Sequence, residues 1–136
     1  MQIIYEDNHI IIANKAPGEI VQGDKTGDKP LSEIVKDYIK VKYAKPGNVF
    51  LGVTHRLDRP VSGLVVFART SKALPRLNQM FSQGKVEKTY LAIVANKPKN
   101  NEGEIVSWLT LNEKLNKSFS HPNQVPQSKE ARLRYK

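Results

Sequence analysis

Residues 54–69 read THRLDRPVSGLVVFAR. A basic, acidic, basic cluster meets proline and glycine and then runs straight into an apolar stretch. Pro60 and Gly63 mark a turn, and residues 64–68 (LVVFA) have the length and β-branched content of a buried strand. Just upstream, residues 49–53 (VFLGV) predict a second strand. The turn between them carries one carboxylate, Asp58, between Arg56 and Arg59. Two readings of Asp58 are open on the residues alone. It is either half of a solvated ion pair with a neighbouring arginine, worth little energy, or a reacting group fixed by a rigid scaffold beside a basic surface.

The flanks extend the pattern in both directions. Residues 3–5 and 10–13 are short apolar runs around Asp7, Asn8 and His9, predicting a β-hairpin. Residues 15–30 are loop by their Gly, Pro and Asp content, with a short strand expected at residues 19–22. From Pro30 to Ala44, Leu31, Ile34, Val35, Tyr38 and Ile39 follow helical spacing, and Pro46-Gly47 ends the helix. Thr70 or Ser71 caps a second helix carrying Leu74, Leu77, Met80 and Phe81, with Gly84 as its stop. Beyond it, VEKTYLAIVA (residues 86–95) alternates as a strand, and EIVSWL (residues 104–109) predicts another. Residues 112–128 read as a polar loop, and EARLRYK (residues 130–136) as a half-buried strand with no terminator after it. The fold class expected is α+β, one domain with about seven strands and two helices in hairpin-like order.

Composition narrows the function classes. Twenty-two basic against 13 acidic residues give a formal charge of +9, which favours a polyanionic partner, nucleic acid first. No run of residues is long and apolar enough to predict a membrane span, and no secretory leader opens the sequence. The absence of cysteine removes disulfide and thiolate chemistry and fits a cytoplasmic setting. Residues 18–26 (GEIVQGDKT) approach a phosphate-cradling loop, but Asp24 stands where that loop needs lysine, and an acid there repels phosphate. His9, His55 and His121 lack metal-ligand spacing, so no metal site is expected.

The stretch HRLDRPVSGLVVFA resembles the signature His-Arg-Leu-Asp-x-x-Thr-Ser-Gly-Leu of the RluA-type pseudouridine synthases. The opening IIYEDNHIIIANKAPGEIVQ is similar to that family's first hairpin and its Asn-Lys-Pro-x-Gly turn. VEKTYLAIV is similar to its Lys-x-Tyr-x-Ala motif, carried by Lys88, Tyr90 and Ala92. The resemblance covers essentially the whole chain. Two departures stand out: Val61 occupies the usual threonine position, and KAPG inverts the order of the usual KPAG. The resemblance implies a mixed, largely antiparallel sheet with flanking helices, here expected without its C-terminal part. It also implies no separate RNA-binding domain in front. The family's third motif, with the arginine that pairs with the catalytic aspartate, is expected past Lys136, and neither Arg132 nor Arg134 sits in that pattern.

The implied activity is isomerisation of uridine to pseudouridine in structured ribosomal or transfer RNA, with neither cofactor nor energy input. The bond from uracil N1 to ribose C1′ breaks, the base rotates, and it reattaches through C5. On this resemblance Asp58 is catalytic, either by attacking or stabilising C1′ or by removing a ribose proton. Tyr90 stacks on the flipped uracil and helps remove the C5 proton; a core tyrosine on an alternating strand is the other reading. Arg56 fills the space left by the extruded nucleotide or holds its phosphate, and Lys88 contacts the RNA backbone or orients the site. The second function class is a catalytically inactive, truncated RNA-binding remnant of the family. Self-association through an unpaired strand is the expected liability.

Overall fold

The computed structural model describes residues 1–136. The predicted hairpin forms from β1 (Gln2–Glu6) and β2 (Ile10–Lys15), paired antiparallel. Its turn closes on Asp7, whose Oδ1 accepts the amides of His9 and Ile10, both at 2.7 Å. A side-chain oxygen thus does the work of a backbone acceptor at the turn. Next come α1 (Leu31–Lys42), β3 (Gly52–Val53), β4 (Gly63–Ala68) and α2 (Ala73–Ser82). These strands make one antiparallel sheet in the order β1-β2-β4-β3.

The sheet has one apolar face, as its period of two dictates. Ile11 and Ala13 of β2 lie opposite Phe67 and Val65 of β4, and all four are fully buried. Leu31, Val35 and Ile39 of α1 complete this core with Val21. The expected strand at residues 19–22 does not form. Ile20 and Val21 are buried in an irregular segment, and their carbonyls accept the amides of Leu31 and Ser32 at 2.8 and 3.1 Å. They supply the acceptors that the start of α1 lacks, since Pro30 at its N-cap makes no side-chain cap. The expected strand over residues 49–53 shortens to the two residues of β3.

The chain divides into two compact units, Met1–Thr89 and Tyr90–Lys136. The second contains β5 (Gly103–Asn112), β6 (Lys117–His121) and β7 (Lys129–Tyr135), antiparallel in the order β6-β5-β7. Two expectations are corrected here. Residues 86–95 form no strand: no ladder pairs with them, and Leu91 and Ile93 are fully exposed. Their alternating pattern is real, but a strand exists only through hydrogen bonds to a neighbour. Conversely, the expected loop over residues 112–128 contains β6. Asn112 Oδ1 accepts the Leu115 amide at 3.0 Å and Asn116 takes φ 46°, so a tight turn folds β6 back onto β5. No helix is long and apolar enough to cross a membrane.

Candidate active site

The first unit builds its site where β3 stops and β4 begins. β3 pairs only Gly52 and Val53 with Ala68 and Phe67. The next rung of the ladder is made by side chains. Thr54 Oγ1 donates to the Val66 carbonyl at 2.5 Å, and the Val66 amide donates to His55 Nε2 at 3.0 Å. The backbone is thereby released from the sheet while remaining tied to it. Accepting from an amide requires Nε2 to be unprotonated, and burial, aided by the charge of Lys88, lowers the imidazole pKa. The ring also stacks on Phe81 of α2, with centroids 4.7 Å apart. His55 is therefore a structural hinge of the turn rather than an acid–base group.

From there the motif alternates in and out. Leu57 packs against the core, whereas Arg56 and Asp58 are exposed. Asp58 is held by its backbone, since its carbonyl accepts the Val61 amide at 3.0 Å and closes the turn. Gly63 follows with φ 138°, a conformation that side-chain-bearing residues rarely adopt, which accounts for the glycine of the Ser-Gly pair.

The sequence reading assigned no role to Lys15, and the structure gives it a central one. It is in phase with Ile11 and Ala13 on the buried face of β2, opposite Gly63, and is itself fully buried. Its Nζ donates to the carbonyls of Asp58 at 3.0 Å, Arg59 at 3.1 Å and Val61 at 2.5 Å, and to Ala16 at 3.2 Å. Burial lowers its pKa, with the carboxylates of Glu19 and Asp58 acting the other way and Arg59 adding to the lowering. An ammonium with several carbonyl acceptors is one of the few ways to bury this group. With its carbonyls turned inward onto Lys15, the turn presents the Asp58 side chain to solvent. The one trace of this in the sequence is that position 15 is in register with Ile11 and Ala13, and apolar periodicity alone does not flag a lysine there.

Of the two readings of Asp58, the ion pair with a flanking arginine does not form. Arg59 donates instead to Asp28 Oδ2 at 2.7 Å, Thr26 Oγ1 at 2.9 Å and Asp24 Oδ2 at 3.4 Å. Arg56 lies in the same exposed turn as Asp58, and Lys88 acts electrostatically on His55 within the same unit. Tyr90 is the first residue of the second unit and is 63% exposed. In that unit Arg132 and Arg134 both pair with Glu104, and Arg132 also with Glu130.

The family model described as RNA pseudouridylate synthase matches residues 9–136. The chain belongs to this RNA pseudouridylate synthase family. Among curated members, it is 33% identical over 106 residues to an uncharacterized RNA pseudouridine synthase of Haemophilus influenzae, covering 78% of this chain and 44% of that one. It is 33% identical over 132 residues to tRNA pseudouridine synthase C of Haemophilus ducreyi, covering 94% of this chain and 51% of that one. It is also 33% identical over 103 residues to ribosomal large subunit pseudouridine synthase C of Rickettsia bellii, covering 76% and 32%. The chain thus spans about half or less of the length of these pseudouridine synthases. The solved structure of human RNA pseudouridylate synthase domain containing 4 superposes with a TM-score of 0.75 at 18% identity, over 96% of this chain and 51% of that one. That likeness shows the fold to be that of a pseudouridylate synthase domain.

Proposed function

We propose that the protein isomerises uridine to pseudouridine in structured RNA, with Asp58 as the catalytic carboxylate. The observation that carries this reading is the turn itself. In a chain of this family, it presents one exposed carboxylate from a backbone clamped by a buried ammonium. Such a carboxylate can attack or stabilise C1′ of ribose, or take a proton from the sugar, and a rigid mount keeps it in reach of either. Arg56 beside it supplies a cation for a phosphate or for the gap left by the extruded nucleotide. Tyr90 is assigned to stack on the uracil, and Lys88 to the RNA backbone. The relatives' names, ribosomal large subunit and tRNA synthases, support ribosomal or transfer RNA as the substrate class. A formal charge of +9 suits either. A cytoplasmic setting fits the cysteine-free sequence. Self-association along the free outer edge of β7 belongs to the same proposal and is visible as concentration-dependent sedimentation.

Isomerisation leaves mass unchanged but frees the hydrogen on uracil C5. RNA tritiated at C5 should therefore release label when incubated with the protein. RNA binding without release would favour the alternative, an inactive RNA-binding member of the family.

A further inference from the structure

The residue after Asp58 has a job of its own. Arg59 turns away from the carboxylate beside it and reaches the segment from Gly18 to Asp28. Its Nη1 donates to Asp28 Oδ2 at 2.7 Å and to the Gly18 carbonyl at 3.4 Å. Its Nη2 donates to Thr26 Oγ1 at 2.9 Å and Asp24 Oδ2 at 3.4 Å. A backbone bond runs the other way, from the Gly18 amide to the Arg59 carbonyl at 2.8 Å.

The receiving segment is itself fixed. The Thr26 amide donates to Asp24 Oδ1 at 2.9 Å, and the Thr26 hydroxyl bonds both Asp24 and Asp28. Within the same segment, the buried Ile20 and Val21 tie it to the first turn of α1 through their carbonyls. Arg59 therefore spans from a turn that carries the carboxylate to a base anchored in the core.

We propose that Arg59 is a positioning residue, a strut that, with Asp24, Thr26 and Asp28, sets the direction of the Asp58 turn. The inference rests on Asp58 being the catalytic group. Lys15 holds the turn's carbonyls from inside, which fixes its depth but leaves its outer side free to tilt. A guanidinium with several acceptors in a planar fork resists that tilt, and a lysine point charge resists it less. These pairs are substantially exposed, so their contribution to global stability is small. The expected signature is therefore lost turnover with retained fold.

The test compares Arg59→Gln, Arg59→Lys and the double variant Asp24→Asn/Asp28→Asn with the unaltered protein. C5 tritium release gives kcat and KM, and hydrogen exchange reads the amides of Val61 and Gly18. Arg59→Gln and the double variant should each lower kcat by about tenfold or more, with KM nearly unchanged. Both amides should exchange faster, melting temperatures should stay put, and Arg59→Lys should recover part of kcat. Unchanged kcat overturns the proposal. So does a rise in KM confined to the Arg59 variants, which would make Arg59 a phosphate contact. If the unaltered protein releases no tritium, the catalytic reading of Asp58 fails. The exchange measurement then still decides the strut, and unchanged exchange at both amides refutes it.

Discussion

At position 15 an apolar side chain would continue the stripe of Ile11 and Ala13, yet the chain spends a lysine there and buries it completely. The cost of desolvating an ammonium is offset by backbone carbonyls of the Asp58 turn. Lys15→Met keeps the shape and removes the donor, leaving those carbonyls short of a partner. It should destabilise the fold by about 1–3 kcal/mol, read by denaturant melts. C5 tritium release should fall further than that loss explains, and a Lys15→Met protein of full stability and activity would contradict this role. His55 gives a pH dependence whose direction is fixed. Its folded pKa lies below the ordinary 6.5, so on acidification the unfolded chain takes up a proton that the folded chain refuses. Its contribution is thus complete above the ordinary value and lost as pH falls below it. Between about pH 7.5 and 5.5 the melting temperature should drop more for the unaltered protein than for His55→Gln, which keeps an acceptor without titrating. Equal slopes would remove His55 from the hinge. Asp58 stood out in the sequence because a motif surrounds it. Lys15 was not weighed, because periodicity flags apolar residues and is silent about a polar group sharing their face. The partners of Arg59 were missed because Asp24 and Asp28 lie 35 and 31 residues away in sequence.

Among the elements, the two helices and the β1–β2 hairpin followed from the spacing and punctuation of their own residues. The errors fall where local pattern and pairing part company. Residues 86–95 have strand composition and no ladder, whereas Lys117–His121 has modest composition and pairs with β5 through the turn at Asn112–Asn116. Gly52 shows how closely elements meet beside the site. A Cβ there would lie 2.7 Å from Cδ1 of Leu74 on α2, so a side chain at this position would have to push Leu74 aside. Gly52→Ala should force Leu74 from its rotamer at a cost of about 1 kcal/mol. Leu74→Ala in the same chain should relieve the clash, giving a non-additive double-mutant cycle by thermal or denaturant melts. Additive losses would mean that the contact carries no strain.

For the molecule as a whole, one carboxylate turn is organised by three separate stretches of sequence: the end of β2, the segment around Asp24–Asp28, and the start of β4. That arrangement explains why Asp58 is prominent in sequence while what holds it is dispersed. We propose that this exposed carboxylate performs the isomerisation, aimed by the stretches that hold its turn. Asp58→Asn is nearly isosteric and removes only the charge and the nucleophile. Because the turn is held through its backbone, the variant should melt as the unaltered protein does and bind RNA with similar affinity. The most direct measurement is C5 tritium release by the two proteins side by side on the same labelled RNA. Release is expected from the unaltered protein, and background counts from Asp58→Asn. Substantial release by a correctly folded Asp58→Asn protein would contradict it.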